Sequence, residues 1–429
     1  MNIVQLTPGA GAMYCGNCFR DNALVAEWRK MGHDAVMASL YLPMTLDEED
    51  QSAGVPIFFS GINVFLEQIF PLYAKAPSFL RNLFSSPSLL KKAAGGAAKT
   101  RPDQLGDLTL SMLQGEMGKQ ARELDELVHW LKTEQKPEVV CLSNALLAGM
   151  VRRIRNELNV PVVIELQGED SFLDSLPDTH REKVWDALRE RAAEVDAFIA
   201  PSHYFAELMT RRLRLRPERV QVVYNGIRLD GYEPAPGNSN PPVLGFFARM
   251  CKEKGIDTLV AAYIHIRKKN LVPNLRLKIG GSMGPSDEPL VTRLKEELRT
   301  ADVLSDVEFH PNLDKSAKQA FLKSLSVFSV PALYGEAFGL YLVEAWAAGV
   351  PVVQPRAASF PELIEASKAG LLCEPNNAAS LAEKIAEILN KPQLHSTLSQ
   401  SALTASRTTF NVRAMAESML KALPNQKVS

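Results

Sequence analysis

The sequence predicts an α/β fold of two doubly wound, Rossmann-like domains, and three observations predict it. Short apolar, β-branched runs alternate with helical periodicity almost from end to end, the pattern of βαβ units around parallel sheets. The chain has 429 residues, more than one ordinary core holds. Near its middle, Gly231-Tyr-Glu-Pro-Ala-Pro-Gly-Asn-Ser-Asn-Pro-Pro242 carries four prolines and two glycines, which neither a helix nor a central strand continues through.

Taken in order, the strands of the first domain are expected at 3–6, 35–40, 139–142, 162–166, 197–200 and 220–224. Those of the second are expected at 243–247, 275–279, 307–309, 327–330 and 352–353, with amphipathic helices between. The first domain is set at 1–235 and the second at 236–408. The remainder, 409–429, is expected to return to the first domain as a helix over 412–423. Two such sheets facing across a cleft let the carboxyl ends of both strand sets converge on a ligand. An insertion at about 60–115 breaks the rhythm, with no clear strand after 55–59. Its stretch 71–102 has no acidic residue, while Lys75, Arg81, Lys91, Lys92, Lys99 and Arg101 alternate with Phe, Leu and Ala. A solvated helical subdomain is one reading. A basic amphipathic surface facing an anionic, partly apolar acceptor or lipid headgroups is the other.

Composition excludes several classes. Hydrophobic residues at 46% and charged residues at 23% are too apolar for general disorder. Lys+Arg 48 against Asp+Glu 49 leaves a net charge of -1, so no global field holds nucleic acid or a membrane. No apolar run approaches the roughly 20 residues of a membrane span, and the N-terminus lacks the pattern of a signal peptide. The chain therefore reads as cytoplasmic, with peripheral contact at the inner face of the membrane open to the basic insertion. Five scattered cysteines, Cys15, Cys18, Cys141, Cys251 and Cys373, form no disulfide framework.

The most specific signal is Gly335-Glu-Ala-Phe-Gly-Leu340-Tyr-Leu-Val-Glu-Ala345, in which seven residues separate Glu336 from Glu344. Glu336 precedes a predicted helix start and Glu344 lies on that helix, placing them along one edge of a cleft. Gly339 admits a ligand to the backbone, and the amides of Phe338, Gly339 and Leu340 at the helix N-terminus favour a phosphate. Two ordinary surface acids are the plain alternative, but these would not need the surrounding glycines and proline. Arg249 and Lys254 follow the first strand of the second domain and could neutralise a leaving diphosphate. Solvated helix-start residues are the alternative there.

These residues resemble the retaining family-4 glycosyltransferases of the GT-B fold, whose hallmark is this Glu-x7-Glu element with Phe-Gly-Leu inside it. Phe247-Ala-Arg-Met-Cys-Lys-Glu-Lys-Gly255 is similar to the family's Gly-Arg-Leu-x-x-x-Lys-Gly segment, and Tyr224-Asn-Gly-Ile227 with Asp230 to its Asn-Gly-Ile-Asp. Ala200-Pro-Ser202, Gly280-Gly281 and Gly370-Leu-Leu-Cys-Glu-Pro-Asn376 also fall where the family has such segments. The likeness runs from about residue 139 to the C-terminus and thins across the insertion. It implies transfer of a sugar from a nucleoside-diphosphate sugar, UDP being the base-rate choice, to an unidentified acceptor with retention of configuration. Glu344 would bind the ribose, Glu336 the donor sugar's hydroxyls, and Arg249 with Lys254 the diphosphate. No metal and no resident cofactor are implied. Epimerases and phosphorylases of the same fold, or a non-catalytic scaffold, are the alternatives.

Departures from the family lie in the first domain. The glycine-rich loop Pro8-Gly-Ala-Gly-Ala12 has Gly11-Ala12 where relatives have Gly-Gly, though a phosphate or acceptor could still approach Gly9 and Gly11. Gln167, followed by Gly168-Glu169-Asp170, stands where many relatives have histidine, and an amide carries no proton. Cys15-Gly-Asn-Cys18 follows the same loop. Redox, metal and packing readings compete for it, and both cysteines join Gln167 and Asp170 as acceptor or cleft candidates. Gly9-Ala-Gly11-Ala-Met-Tyr14 lacks the third glycine of a dinucleotide fingerprint. Gly280-Gly-Ser282-Met-Gly284 mimics a nucleophile elbow, but Pro285 and Pro289 oppose a helix directly behind Ser282.

Overall fold

Residues 139–142 (Val-Val-Cys-Leu) and 197–200 (Ala-Phe-Ile-Ala) are buried at every position, which requires a sheet covered on both faces. The computed structural model, describing residues 1–9, 16–44, 46, 48–59, 102–235 and 240–424, meets that requirement twice. Its chain divides into two compact units, one formed by Met1–Val223 with Met415–Ser429, the other by Tyr224–Ala414. Gly11, Cys15 and the basic stretch through Arg101 lie outside the described residues.

The first unit carries β1 (Asn2–Thr7), β2 (Asp34–Ser39), β3 (Val139–Leu142), β4 (Val162–Glu165), β5 (Ala197–Ala200) and β6 (Val220–Val222). They form one parallel sheet in the order β2-β1-β3-β4-β5-β6, with Gln5 opposite Met37 on one side and Cys141 on the other. Its described helices are α1 (Gly16–Lys30), α2 (Pro102–Gln114), α3 (Ala121–Trp130), α4 (Val151–Leu158), α5 (Glu169–Ser175), α6 (Asp178–Ala192) and α7 (His203–Leu213). Segment 55–59 forms no strand. Its Phe59 is fixed instead by a wholly buried ring and an amide that donates to Leu40 O at 2.9 Å.

The second unit repeats the plan with β7 (Val243–Phe247), β8 (Arg276–Gly281), β9 (Val307–Pro311), β10 (Val327–Phe328), β11 (Val352–Pro355) and β12 (Gly370–Cys373). The order is β12-β11-β10-β7-β8-β9, again parallel throughout. The edge strand β12 is absent from the sequence-based assignment, because Gly370-Leu-Leu-Cys is too short and too poor in β-branched residues to announce itself. The helices are α8 (Ile256–Lys268), α9 (Glu288–Thr300), α10 (Lys315–Lys323), α11 (Leu340–Ala347), α12 (Phe360–Ser367), α13 (Ala378–Leu389) and α14 (Pro392–Thr408). A last helix, α15 (Val412–Ala422), carries the chain into the first unit, where Trp28 Nε1–H donates to Ala416 O at 3.3 Å.

Each sheet reverses its winding once, between β1 and β3 in the first unit and between β7 and β10 in the second. Loops leaving two strands on either side of such a reversal run apart and open a crevice at their carboxyl ends. The two parallel sheets, each with one winding reversal, make this a two-domain, Rossmann-like α/β fold.

Candidate active site

The crevice of the second unit is built by the chain leaving β7 and the chain leaving β10. After β7 the backbone makes a tight turn at Lys252–Lys254 and passes through Gly255 at φ +72° into α8. A side chain at 255 would put its Cβ 1.8 Å from Pro331 O, so only glycine lets the turn lie flat on the segment behind β10. The Leu333 amide closes the approach by donating to Glu253 O at 2.9 Å.

This approach brings Lys254 onto Glu336. The ammonium donates to Glu336 Oε2 at 2.6 Å and to the Tyr334 hydroxyl, and it lies 4.8 Å and 5.5 Å from the ring centroids of Tyr334 and Tyr341. Both phenols also donate to Glu336 Oε2, each at 3.0 Å. The side chains of Lys254 and Glu336 remain 19% and 13% exposed, enough for a ligand to reach either. Burial, reinforced by Glu336, pushes the Tyr341 hydroxyl well above the ordinary phenol range, so it stays a donor at neutral pH.

Three residues after Glu336, the chain turns through Gly339 at φ +89°, which caps α11. The Phe338 ring is buried, 6.2 Å from the rings of both Tyr224 and Phe410, and Ser359 Oγ–H donates to Phe338 O at 3.3 Å. The loop is thus anchored by an apolar side chain, while its backbone is left at the helix start. Among the described residues, no acceptor within the chain takes the amides of Phe338, Gly339 or Leu340. Three unpaired donors at the positive end of a helix can hold an anion.

The other expected residues take separate partners. Arg249, 56% exposed, makes a fork on Asp287, with Nη2 at 3.1 Å and Nε at 3.3 Å, and that hydrogen bonding raises its pKa further. Burial pushes the Asp287 carboxyl up, but the Gly284 amide at 3.0 Å and Arg249 together hold it below its usual range. Glu344, within α11, accepts from Lys318 Nζ of α10 at 2.6 Å and from the Tyr232 hydroxyl, which burial and then Glu344 push well up. Tyr334, Tyr341, Asp287, Lys318 and Tyr232 were not singled out in the sequence. Their spacing from the known acids is irregular, and each looks like a packing or surface residue until the chain folds.

In the first unit, Gly9 at φ +76° leaves no room for a Cβ, which would lie 1.9 Å from Leu42 O. The Gln167 amide donates to the buried Glu169 carboxylate at 2.9 Å, which also accepts from Gly168 at 3.1 Å and Ala145 at 2.8 Å. Glu169 therefore ties together the loops leaving β3 and β4, a role no spacing announced. Asp170 is half-buried and burial raises its pKa. Cys18 lies on α1 and is only 3% exposed.

Sequence comparison gives two family matches, the model for glycosyl transferases group 1 over residues 233–404 and that for glycosyltransferase family 4 over 112–230. Lys254, Glu336, Glu344 and Arg249 all fall in the first of these. Curated relatives include an uncharacterized glycosyltransferase of Methanocaldococcus jannaschii, 26% identical over 58% of this chain and 64% of its own. They also include the D-inositol 3-phosphate glycosyltransferase of Salinispora arenicola, 25% identical over 75% of this chain and 72% of its own. The chain spans 64% and 52% of the length of the first two curated relatives it matches. Among solved structures, the sucrose-phosphate synthase of Thermosynechococcus elongatus superposes with a TM-score of 0.70 at 18% identity, covering 98% of this chain and 97% of that one. The Anabaena protein HepE, solved with UDP, gives 0.67 at 16% identity, covering 98% and 99%.

Proposed function

We propose that this chain, glycosyltransferase family 4-like in its sequence matches and GT-B in fold, transfers a sugar from a nucleoside-diphosphate sugar to an acceptor with retention of anomeric configuration. The observation that carries the reading is the contact of Lys254 with Glu336 beside the unpaired amides that open α11, at the winding reversal of the second sheet. A diphosphate set against those amides meets a cation whose third N–H is still free, because Lys254 uses two of its three. Glu336 then faces the sugar and Glu344 the ribose. As the glycosidic bond to the diphosphate breaks, negative charge grows on the leaving oxygen, and the amides, Lys254 and Arg249 stabilise it without rearrangement. The leaving diphosphate takes the acceptor's proton on the face of attack, so no imidazole is needed where Gln167 stands. The charge work is done by the chain's own cations, with no metal required.

UDP is the proposed nucleotide, supported by the complexes of HepE with UDP and with UDP-glucose. For the acceptor, the acid-free stretch 71–102 suits a molecule with an anionic group and an apolar part, or a dock on anionic lipid at the inner face of a membrane. Among the described residues no helix is long and apolar enough to cross a membrane. Charge reversal at Lys91, Lys92 and Lys99 should raise the acceptor KM, or abolish vesicle binding, with donor hydrolysis intact. The central experiment is hydrolysis of UDP-, GDP- and ADP-sugars followed by proton NMR. An α-sugar released first from an α-linked donor supports the reading. Release of the inverted anomer refutes retention, and no turnover of any donor refutes the transferase.

A further inference from the structure

We propose that Tyr334 and Tyr341 are positioning residues that fix the Glu336 carboxylate by one oxygen and leave the other for a sugar hydroxyl, a role that rests on the donor reading above. Glu336 Oε2 collects three donors, the Lys254 ammonium at 2.6 Å and the two phenols at 3.0 Å each. Among the described residues no donor is recorded on Oε1. A carboxylate offers about four acceptor positions over two oxygens, so three donors on one oxygen set its rotation and direct the remaining capacity outward. The arrangement answers a specific difficulty. When a diphosphate takes the third N–H of Lys254, a carboxylate held by that lysine alone would be held less tightly and could rotate at the moment it must contact the sugar. Two uncharged phenols add their hold, and Tyr341 does so without a hydrogen bond to Lys254.

The two phenols have unequal duties. Tyr341, on the first turn of α11, touches Glu336 and reaches Lys254 only through its ring face. Tyr334 donates to Glu336 and also accepts from Lys254, so it links the sugar-facing acid to the phosphate-facing cation. Tyr341→Phe keeps the ring and removes one hydrogen bond to the carboxylate. It should leave UDP affinity within about twofold and lower kcat for UDP-glucose hydrolysis about tenfold, the scale of a hydrogen bond to a charged group. Tyr334→Phe should lower kcat similarly and also weaken UDP several-fold.

A double-mutant cycle separates positioning from mere packing. In the Glu336→Gln background Tyr341→Phe should cost less than about twofold, because the group it positions is already changed. Calorimetry with UDP, GDP and ADP and single-turnover hydrolysis of the matching glucose donors supply the readouts, with thermal melting to check that each variant folds. An undiminished Tyr341→Phe enzyme overturns the proposal while wild-type donor turnover still upholds the donor site. An equal loss in both backgrounds assigns the phenol to packing and likewise overturns it. A wild-type chain that binds none of the three nucleotides sinks the donor reading and the proposal with it.

Discussion

Glu165 is fully buried from water. It lies on β4 in the core of the first unit, in contact with the buried Arg20 guanidinium, which also pairs with Asp21. Thr7 Oγ1–H donates to Asp21 at 2.6 Å. One cation thus serves two carboxylates, and burial pushes the Glu165 carboxyl up from 4.5 to about 7, with Asp21 adding to the rise and Arg20 opposing it. The folded chain then keeps a proton that the unfolded chain releases above 4.5. The stability this gives is complete below about 4.5 and is lost as pH rises through about 7. Urea midpoints for the first unit should fall between pH 5 and pH 8, and Glu165→Gln should shrink that fall; an identical slope in the variant would refute the assignment. In the second unit, Lys254→Ala should cost about 3 kcal/mol of transition-state stabilisation, read from kcat/KM. Glu344→Ala should weaken UDP about tenfold by calorimetry while Glu336→Gln leaves that affinity nearly unchanged and lowers turnover. Equal effects on UDP would mean that the two acids do not divide ribose from sugar.

At the scale of elements, the site depends on two turns that only glycine can make. Gly255 lets the Lys252–Lys254 turn rest on the Pro331 carbonyl, and Gly339 caps α11 at φ +89°. Gly255→Ala forces an unfavourable backbone conformation, a cost of about 1–3 kcal/mol, and adds a Cβ with nowhere to go. It should lower both the melting temperature and kcat, because relief of the clash moves Lys254 away from Glu336. Gly284→Ala is the matched control, since its Cβ meets nothing nearer than Asp287 Oδ2 at 3.8 Å and its backbone is not left-handed. A Gly255→Ala enzyme as stable and active as the control would show that the turn is not what positions the lysine. Phe338 belongs to the same level, its buried ring fixing the loop so that the amides are already in place before a ligand arrives.

For the whole molecule, the proposed donor residues Lys254, Glu336, Glu344 and Arg249 all lie in the unit Tyr224–Ala414. Ligand binding stabilises what it touches, by about 2.7 kcal/mol at a concentration of 100 Kd. Saturating UDP should therefore slow amide exchange across 252–255 and 336–342, with the α11 amides among the strongest responders. Protection confined to the first unit would place the nucleotide elsewhere. Activity should persist in EDTA, because cations of the chain carry the charge; full loss with rescue by magnesium would refute that.

Local sequence pattern carries the doubly wound architecture, and it nominates the candidate site residues. Consecutive buried apolar positions such as those of β3 and β5 admit no arrangement but sheets covered on both faces, and they are written locally. The Glu336-to-Glu344 spacing and the glycine before α11 are local as well, set by the period of one helix and the conformation of one residue. Which cation meets which acid is not local. Lys254 and Arg249 stand five residues apart, yet one finds its carboxylate 82 positions away and the other 38. Those partners are chosen by strand order, which seats β10 on one side of β7, bringing Glu336 to Lys254, and β8 on the other, bringing Asp287 to Arg249. The phenols on Glu336, the lysine on Glu344 and the arginine brought to Glu165 on β4 follow the same rule: sequence periodicity fixes the face on which a residue lies, and only the stacking of distant segments decides what it faces.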